Sequence, residues 1–142
     1  MTTSAALSLN LKLQVLEVRR REDVAGAVRT AHNSQTEALN VFSSPFLASL
    51  HREIIAFAAE SRLPAIYQWK EHAEAGGLVS YGPSLAAMWR QSAIIVSKVL
   101  KGAKPADLPV EQPSKLELVV NLRTAQSLNL NISPSVLYVP MR

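Results

Sequence analysis

The stretch LPAIYQWKEHAEAGGLVSYGP, residues 63–83, decides the fold. Leu63–Tyr67 is a short apolar run bounded by turn residues, and its Pro64 sits near the first position, where a strand tolerates proline. Lys70–Ala75 is a short helix. Gly76-Gly77 ends it, because glycine accepts the left-handed turn that closes a helix. Leu78–Tyr81 is a second apolar run, and Tyr81-Gly82-Pro83 leads out of it. Strand, helix and strand in close succession predict a parallel unit with a right-handed crossover.

Working towards the N-terminus, the same alternation repeats. Leu11–Val18 alternates as a strand, with Leu11, Leu13, Val15 and Glu17 on one face. Residues 22–33 place Val24, Ala27, Val28 and Ala31 at helical spacing, with Glu22 and Asp23 in the first turn, where the helix dipole favours them. Ala38–Phe42 is a short strand. Ser44 and Pro45 then supply an N-cap and an N1 proline. Behind them Leu47, Leu50, Ile54, Phe57 and Ala58 form one apolar stripe. The first 83 residues therefore form an α/β lobe with a doubly wound, mainly parallel sheet. Residues 1–10 are expected to be disordered.

After Tyr81 the pattern changes. Residues 84–101 make a long helix whose apolar face is broad: Leu85, Met88, Ile95, Val96 and Val99, widened by Ala93, Ile94 and Leu100. GAKPADLPVEQPS, residues 102–114, holds three prolines and is an extended connector. Leu116–Val120 is a fifth strand. Asn121 caps a helix over Leu122–Leu128, and Asn129 takes the left-handed position after it. Residues 132–142 are expected to be irregular. Residues 84–142 thus form a second region of helix, connector, strand and short helix.

Composition narrows the function. The chain has 142 residues, 48% of them hydrophobic and 18% charged, enough to bury a single core. It has no cysteine, so disulfides, thiolate metal sites and cysteine nucleophiles are excluded. No apolar run approaches the roughly 20 residues of a membrane span. The N-terminus lacks the features of a secretory signal, so the chain as written is expected in the cytoplasm. The net charge is +4, and the one dense basic run, Arg19-Arg20-Arg21, is followed at once by Glu22-Asp23. That run is a solvated surface rather than a nucleic-acid patch, with no aromatic residue in it to stack a base.

Catalytic motifs are missing. There is no GxSxG, no GxGxxG after the first strand and no GxxxxGK[ST]. The third strand ends Ile66-Tyr67-Gln68-Trp69, without the acidic acceptor of a phospho-receiver. His32, His51 and His72 have no ligand spacing, and no metal or cofactor is expected. His51 belongs to the polar face of the second helix. In parallel sheets ligands bind beyond the C-terminal strand ends. Those ends offer Ser43, Ser44, Tyr67, Gln68, Trp69, Ser80 and Tyr81, neutral hydrogen-bonding and aromatic groups suited to holding a small organic molecule. With Gly82, the ligand-binding set is Ser43, Ser44, Tyr67, Gln68, Ser80, Tyr81 and Gly82. No enzymatic arrangement of nucleophile, base and orienting group stands out.

RLPAIYQWKEHAEAGGLVSYGPS, residues 62–84, and VLKGAKPADLPVEQPSKLELVVNLRTAQSLNL, residues 99–130, resemble the C-terminal half of ABC-transporter substrate-binding proteins of the tryptophan/tyrosine-transport type. LKGAKPADLPVEQP is the specific part, and weaker similarity runs back to Leu11. The resemblance implies a type I periplasmic-binding-protein fold, in which two lobes close on a ligand and deliver it to a membrane permease. It also implies a periplasmic location. Ser44 stands where the family often has an acidic residue opening the second helix, which counts against recognition of an α-amino group. Asn129 stands where the family usually has glycine, a mild change.

The expected function is that of a truncated solute-binding component binding an aromatic or other amino-acid-like solute at the strand ends. Tyr81-Gly82-Pro83 is expected to be a hinge. A homodimer is expected to cover the apolar face of residues 84–101. The alternative is a cytoplasmic small-molecule sensor or regulatory lobe that acts through a partner protein.

Overall fold

Tyr67 lies beside Ser80 in a parallel ladder, so residues 63–83 fold as the strand–helix–strand unit the sequence predicts. The computed structural model describes residues 2–113 and 115–137. Three helices and one strand lead into that unit: α2 (Asp23–Asn33), β1 (Leu39–Asn40) and the pair α3 (Pro45–Ser49) and α4 (His51–Glu60). They follow α1 (Thr2–Ser8), which occupies the segment expected to be disordered. The unit itself is β2 (Ala65–Tyr67), α5 (Lys70–Glu74) and β3 (Val79–Pro83). After it come α6 (Leu85–Leu100), β4 (Leu116–Val120), α7 (Leu122–Ser127) and α8 (Pro134–Leu137). The last lies where irregular chain is expected, and residues 138–142 fall outside the described residues.

The sheet has four strands in the order β1-β2-β3-β4. The β1–β2 and β2–β3 pairs are parallel, and β3–β4 is antiparallel. Right-handed crossovers taken twice in one direction bring α4 and α5 to one face of the sheet. Ala65, Tyr67 and Ser80 point to that face and are buried, while Ile66 and Tyr81 on the other are exposed. The main core joins Val24, Leu50, Ile54, Ile55, Ala58, Ala65 and Tyr67. Burying a side chain the size of Leu50, Ile54 or Ile55 contributes roughly 1.5–3 kcal/mol.

Local signals place several boundaries. Ser44 is extended, and its Oγ accepts the Leu47 N–H at 3.0 Å, with Pro45 opening α3. Asn121 Oδ1 accepts the Thr124 N–H at 3.1 Å, and Asn129 takes φ 57° just past α7. Gly76 has φ +112°, the turn that ends α5. Gly77 is needed for a different reason: a Cβ there would lie 2.7 Å from the Tyr67 ring and 2.8 Å from the His72 carbonyl oxygen.

Three further expectations are corrected. Residues 11–18 form no helix and join no ladder among the described residues. Leu11, Leu13 and Val15 are exposed, and the residues that pack on the core are Leu16 and Val18. Alternation marks extended chain, but the choice of inward face depends on a register that only tertiary contacts supply.

The single helix expected after Ser44 is two, broken at Leu50. Around the break, Ser49 Oγ donates to the Phe46 carbonyl at 2.7 Å and His51 Nδ1 to that of Ala48 at 2.8 Å, so side chains compete for helix acceptors. Tyr81-Gly82-Pro83 does not end its strand. β3 runs on past the end of β2 because β4 pairs with it from Val79↔Val120 to Pro83↔Leu116. The long helix is present as α6, and none of its residues is buried.

The arginine run is ion-paired. Arg19 meets Glu17 at 2.7 Å, Arg20 meets Glu22 at 3.5 Å, and Arg21 reaches Glu53 of α4 at 2.7 Å. Exposed pairs of this kind contribute about 0–1 kcal/mol. Asp23 accepts the N–H groups of Arg20 and Arg19 at 2.9 and 3.1 Å, and these bonds hold its carboxyl below the usual range. No helix of the described residues is long and apolar enough to cross a membrane.

Gly26, inside α2, provides a contrast with Gly77. A Cβ there meets nothing within 4 Å. Gly26→Ala should therefore stabilise the chain by about 0.5–1 kcal/mol through helix propensity. Urea unfolding of the two chains side by side measures it, and a loss of stability would mean the helix is not packed as described.

Candidate functional site

β1 and β2 end side by side, and the chain leaving each strand turns into a helix. Val41 N–H donates to the Ile66 carbonyl at 3.0 Å and carries the pairing one residue beyond β1. Ser43 Oγ then accepts from Trp69 Nε1 at 3.0 Å, which ties the two exits together. Between them lies a concavity with an apolar wall of Val41, Phe42, Leu47, Ala48 and Ile54. Its polar groups are Ser43, His51, Tyr67, Gln68 and His72. Counted out to the open mouth, and with the open solvent there included, its empty space is about 250 Å³.

Three expected site residues, Ser43, Tyr67 and Gln68, meet in this concavity. Ser44 stands behind it, with its Oγ occupied in capping α3. Ser80 is 0% exposed, in register with Tyr67, and its Oγ has no partner. Tyr81 is on the opposite face of β3 and 52% exposed. Gly82 is buried against the Gln68 backbone.

Two residues that line the concavity were not expected there. His51 opens α4 and His72 lies in α5, and their rings stack with centroids 5.1 Å apart and planes 13° from parallel. Tyr67 meets His72 edge-on, at 5.5 Å. Neither histidine has a motif around it. The signal available in the sequence was position: each lies in a helix that follows the end of a parallel strand.

Two of the residues lining the concavity carry a polar atom that is closed off from solvent. Tyr67 Oη and His72 Nδ1 are buried without a hydrogen-bond partner among the described residues. Such atoms normally find partners inside proteins, and an unpartnered one costs about 1–3 kcal/mol. Burial pushes the Tyr67 hydroxyl up to about 12, so it stays protonated and able to donate. His72 is held below its ordinary value of 6.5, first by burial and then by the nearby His51, with Glu71 opposing. No group of three or more histidine and acidic side chains among the described residues is arranged to hold a metal ion.

The His72 shift predicts a pH dependence. The unfolded chain protonates this ring near 6.5, and the folded chain only at lower pH. Just below 6.5 the unfolded state binds more protons, so this contribution to stability is complete above that pH and is lost as pH falls. Thermal midpoints measured from about pH 7.5 down to about pH 5 should fall more steeply for the native chain than for His72→Gln. Equal slopes would contradict the burial of this ring.

Over residues 1–142 the sequence matches the family described as ABC transporter substrate binding protein. The chain belongs to that family. Solved structures agree on the fold. A conserved domain protein from Vibrio cholerae superposes with a TM-score of 0.84 at 23% identity, covering 95% of this chain and 45% of its own. An ABC domain from Streptococcus pneumoniae, solved in complex with L-Trp, has a TM-score of 0.85 at 28% identity, covering 94% and 46%. The ligand-free, open structure of a substrate binding protein with adhesive properties from Clostridium difficile gives 0.66 at 18%, covering 94% and 45%. The chain thus spans a little under half the length of these solved structures. No match was found among curated proteins. The family has a solute-binding fold, and the mixed α/β architecture with its mainly parallel sheet is that of periplasmic-binding-protein domains.

Proposed function

We propose that this chain is a solute-binding component of an ABC transporter and that it holds a small organic solute in the concavity beyond β1 and β2. The observation that carries the reading is the pair of buried, unpartnered polar atoms, Tyr67 Oη and His72 Nδ1, on residues that line an apolar-walled concavity at parallel strand ends. Such a place is where ligands bind in sheets of this type. The Streptococcus pneumoniae relative in complex with L-Trp supports a solute with an aromatic or amino-acid-like body. Ser43, Tyr67 and Gln68 contact it in this reading, with Ser44, Ser80 and Gly82 shaping the floor behind them. Tyr81 faces away from the floor and contacts a covering lobe. The role involves no chemical step. The solute is met in the periplasm and passed to a membrane permease.

α6 bears on the assembly. Trp89 is 68% exposed and Leu100 82%, and Ile94 and Val96 are also exposed. Apolar surface of this extent is usually covered by another protein surface. A homodimer through residues 84–101 accounts for it. Sedimentation should give a dimer at micromolar concentration, and a monodisperse monomer would count against this part.

A solute that binds only the folded state raises the melting temperature, and at a hundredfold excess over Kd it adds about 2.7 kcal/mol. A thermal-shift screen of amino acids and aromatic acids should find such a solute. If none of them moves the melting temperature, the reading fails.

A further inference from the structure

The concavity has donors but no fixed charge. Among the described residues, no aspartate, glutamate, lysine or arginine lines it. Glu53, on the same helix as His51, is engaged with Arg21. An ammonium group brought into this space would lose its water and find no carboxylate, a large penalty. A carboxylate would find two imidazoles and the Tyr67 hydroxyl.

The His51 tautomer sharpens the argument. Its Nδ1 lies 2.8 Å from the Ala48 carbonyl oxygen, which can only accept, so Nδ1 carries the proton. In the neutral ring Nε2 then presents a lone pair, and a carboxylate meeting it must bring a proton with it. The stacked rings, 5.1 Å apart, resist a second positive charge, so the pair takes one. The groups that face His72 from neighbouring elements are His51 of α4 and Tyr67 of β2, with Glu71 on its own helix. From the two other strands packed near α5, Tyr81 of β3 points to the opposite face, and Glu117 of β4 pairs with Lys115 at 3.6 Å. Lys115 is engaged with Glu117, and among the described residues no lysine or arginine lines the concavity.

We propose that the solute is an organic acid without an ammonium group: an apolar or aromatic body on the Val41, Phe42, Leu47 and Ile54 wall, and one carboxylate against the His51–His72 pair. The pair gains one proton as the acid binds, forming imidazolium and carboxylate, a strengthened ion-paired hydrogen bond. This inference rests on the solute-binding reading above. The lowered protonation of the buried His72 ring fits it, since burial disfavours the charged ring until an anion arrives beside it.

Calorimetric titration of the chain with phenylacetate and indole-3-acetate, against L-phenylalanine and L-tryptophan, tests it. The acids should bind at least about tenfold more tightly than the amino acids, and about tenfold more tightly at about pH 6 than at about pH 8. The heat should vary with buffer as one proton is taken up. His51→Gln and His72→Gln should each flatten the pH dependence. Amino acids binding as tightly as the acids, or acid binding that ignores pH, would overturn the inference while leaving the solute site in place. If neither class binds, the solute-binding reading fails, and this inference with it.

Discussion

Gly82→Ala is expected to cost about 1–3 kcal/mol of stability, or more. A Cβ at Gly82 would lie 2.3 Å from the Gln68 carbonyl oxygen and 3.1 Å from its carbonyl carbon. Those are backbone atoms, and they cannot rotate away as a side chain can. β3 would have to move from the exit of β2, while its other edge is held by five residue pairs with β4. The strain therefore falls on the contact that positions Gln68 in the concavity. Urea unfolding should show a lower midpoint with an unchanged slope. Solute binding should weaken as well. A variant as stable as the native chain would mean that β3 does not pass so close to Gln68.

Tyr67 separates packing from recognition. Its ring is 2% exposed, packed in the main core and edge-on to His72. Tyr67→Ala removes the whole ring, and large aromatic truncations of this kind cost about 3–5 kcal/mol. Against a typical total stability of about 5–15 kcal/mol, that brings the chain near unfolding at room temperature. Tyr67→Phe should behave in the opposite way. It deletes a buried hydroxyl that has no partner, so the empty chain should gain about 1 kcal/mol. The same change removes a donor from the site, and solute affinity should fall about tenfold, the size of one lost hydrogen bond. Thermal melts with and without solute give both numbers. A Phe variant that loses stability would show that the hydroxyl is already satisfied inside the protein. One that binds as well as the native chain would remove Tyr67 from the recognition set.

How much of this was legible in the sequence depends on how local each feature is. Ser44-Pro45, Asn121, Gly76 and Asn129 act through backbone groups within a few residues, and all four do what their chemistry predicts. The parallel unit at 63–83 was legible because its two apolar runs are separated by a helix too short to allow another course. Residues 11–18 were half legible. Their alternation marked extended chain, but whether a segment joins a ladder depends on a neighbour elsewhere in the chain. The antiparallel direction of β4 was hidden for the same reason, since the long α6 and the proline-rich connector can return the chain in either sense.

The site divides along the same line. Ser43, Tyr67 and Gln68 could be placed at strand ends by counting along the sequence. The His51–His72 stack could not, because it depends on how α4 packs beside α5. Gly82 was singled out for its place at a strand end, but its reason is the closeness of the Gln68 carbonyl, which no local pattern announces.

The central claim is that solute is held between the exits of β1 and β2. Chemical-shift mapping by NMR tests it most directly, because it reports weak binding residue by residue. Titrating the isotope-labelled chain with phenylacetate and with L-tryptophan should identify which residues respond. The solute that binds should move the amides of residues 41–43 and 67–69 and the rings of His51 and His72, leaving α6 unchanged. Shifts confined to α6 or to the exposed face around Tyr81, with His51 and His72 unmoved, would contradict it.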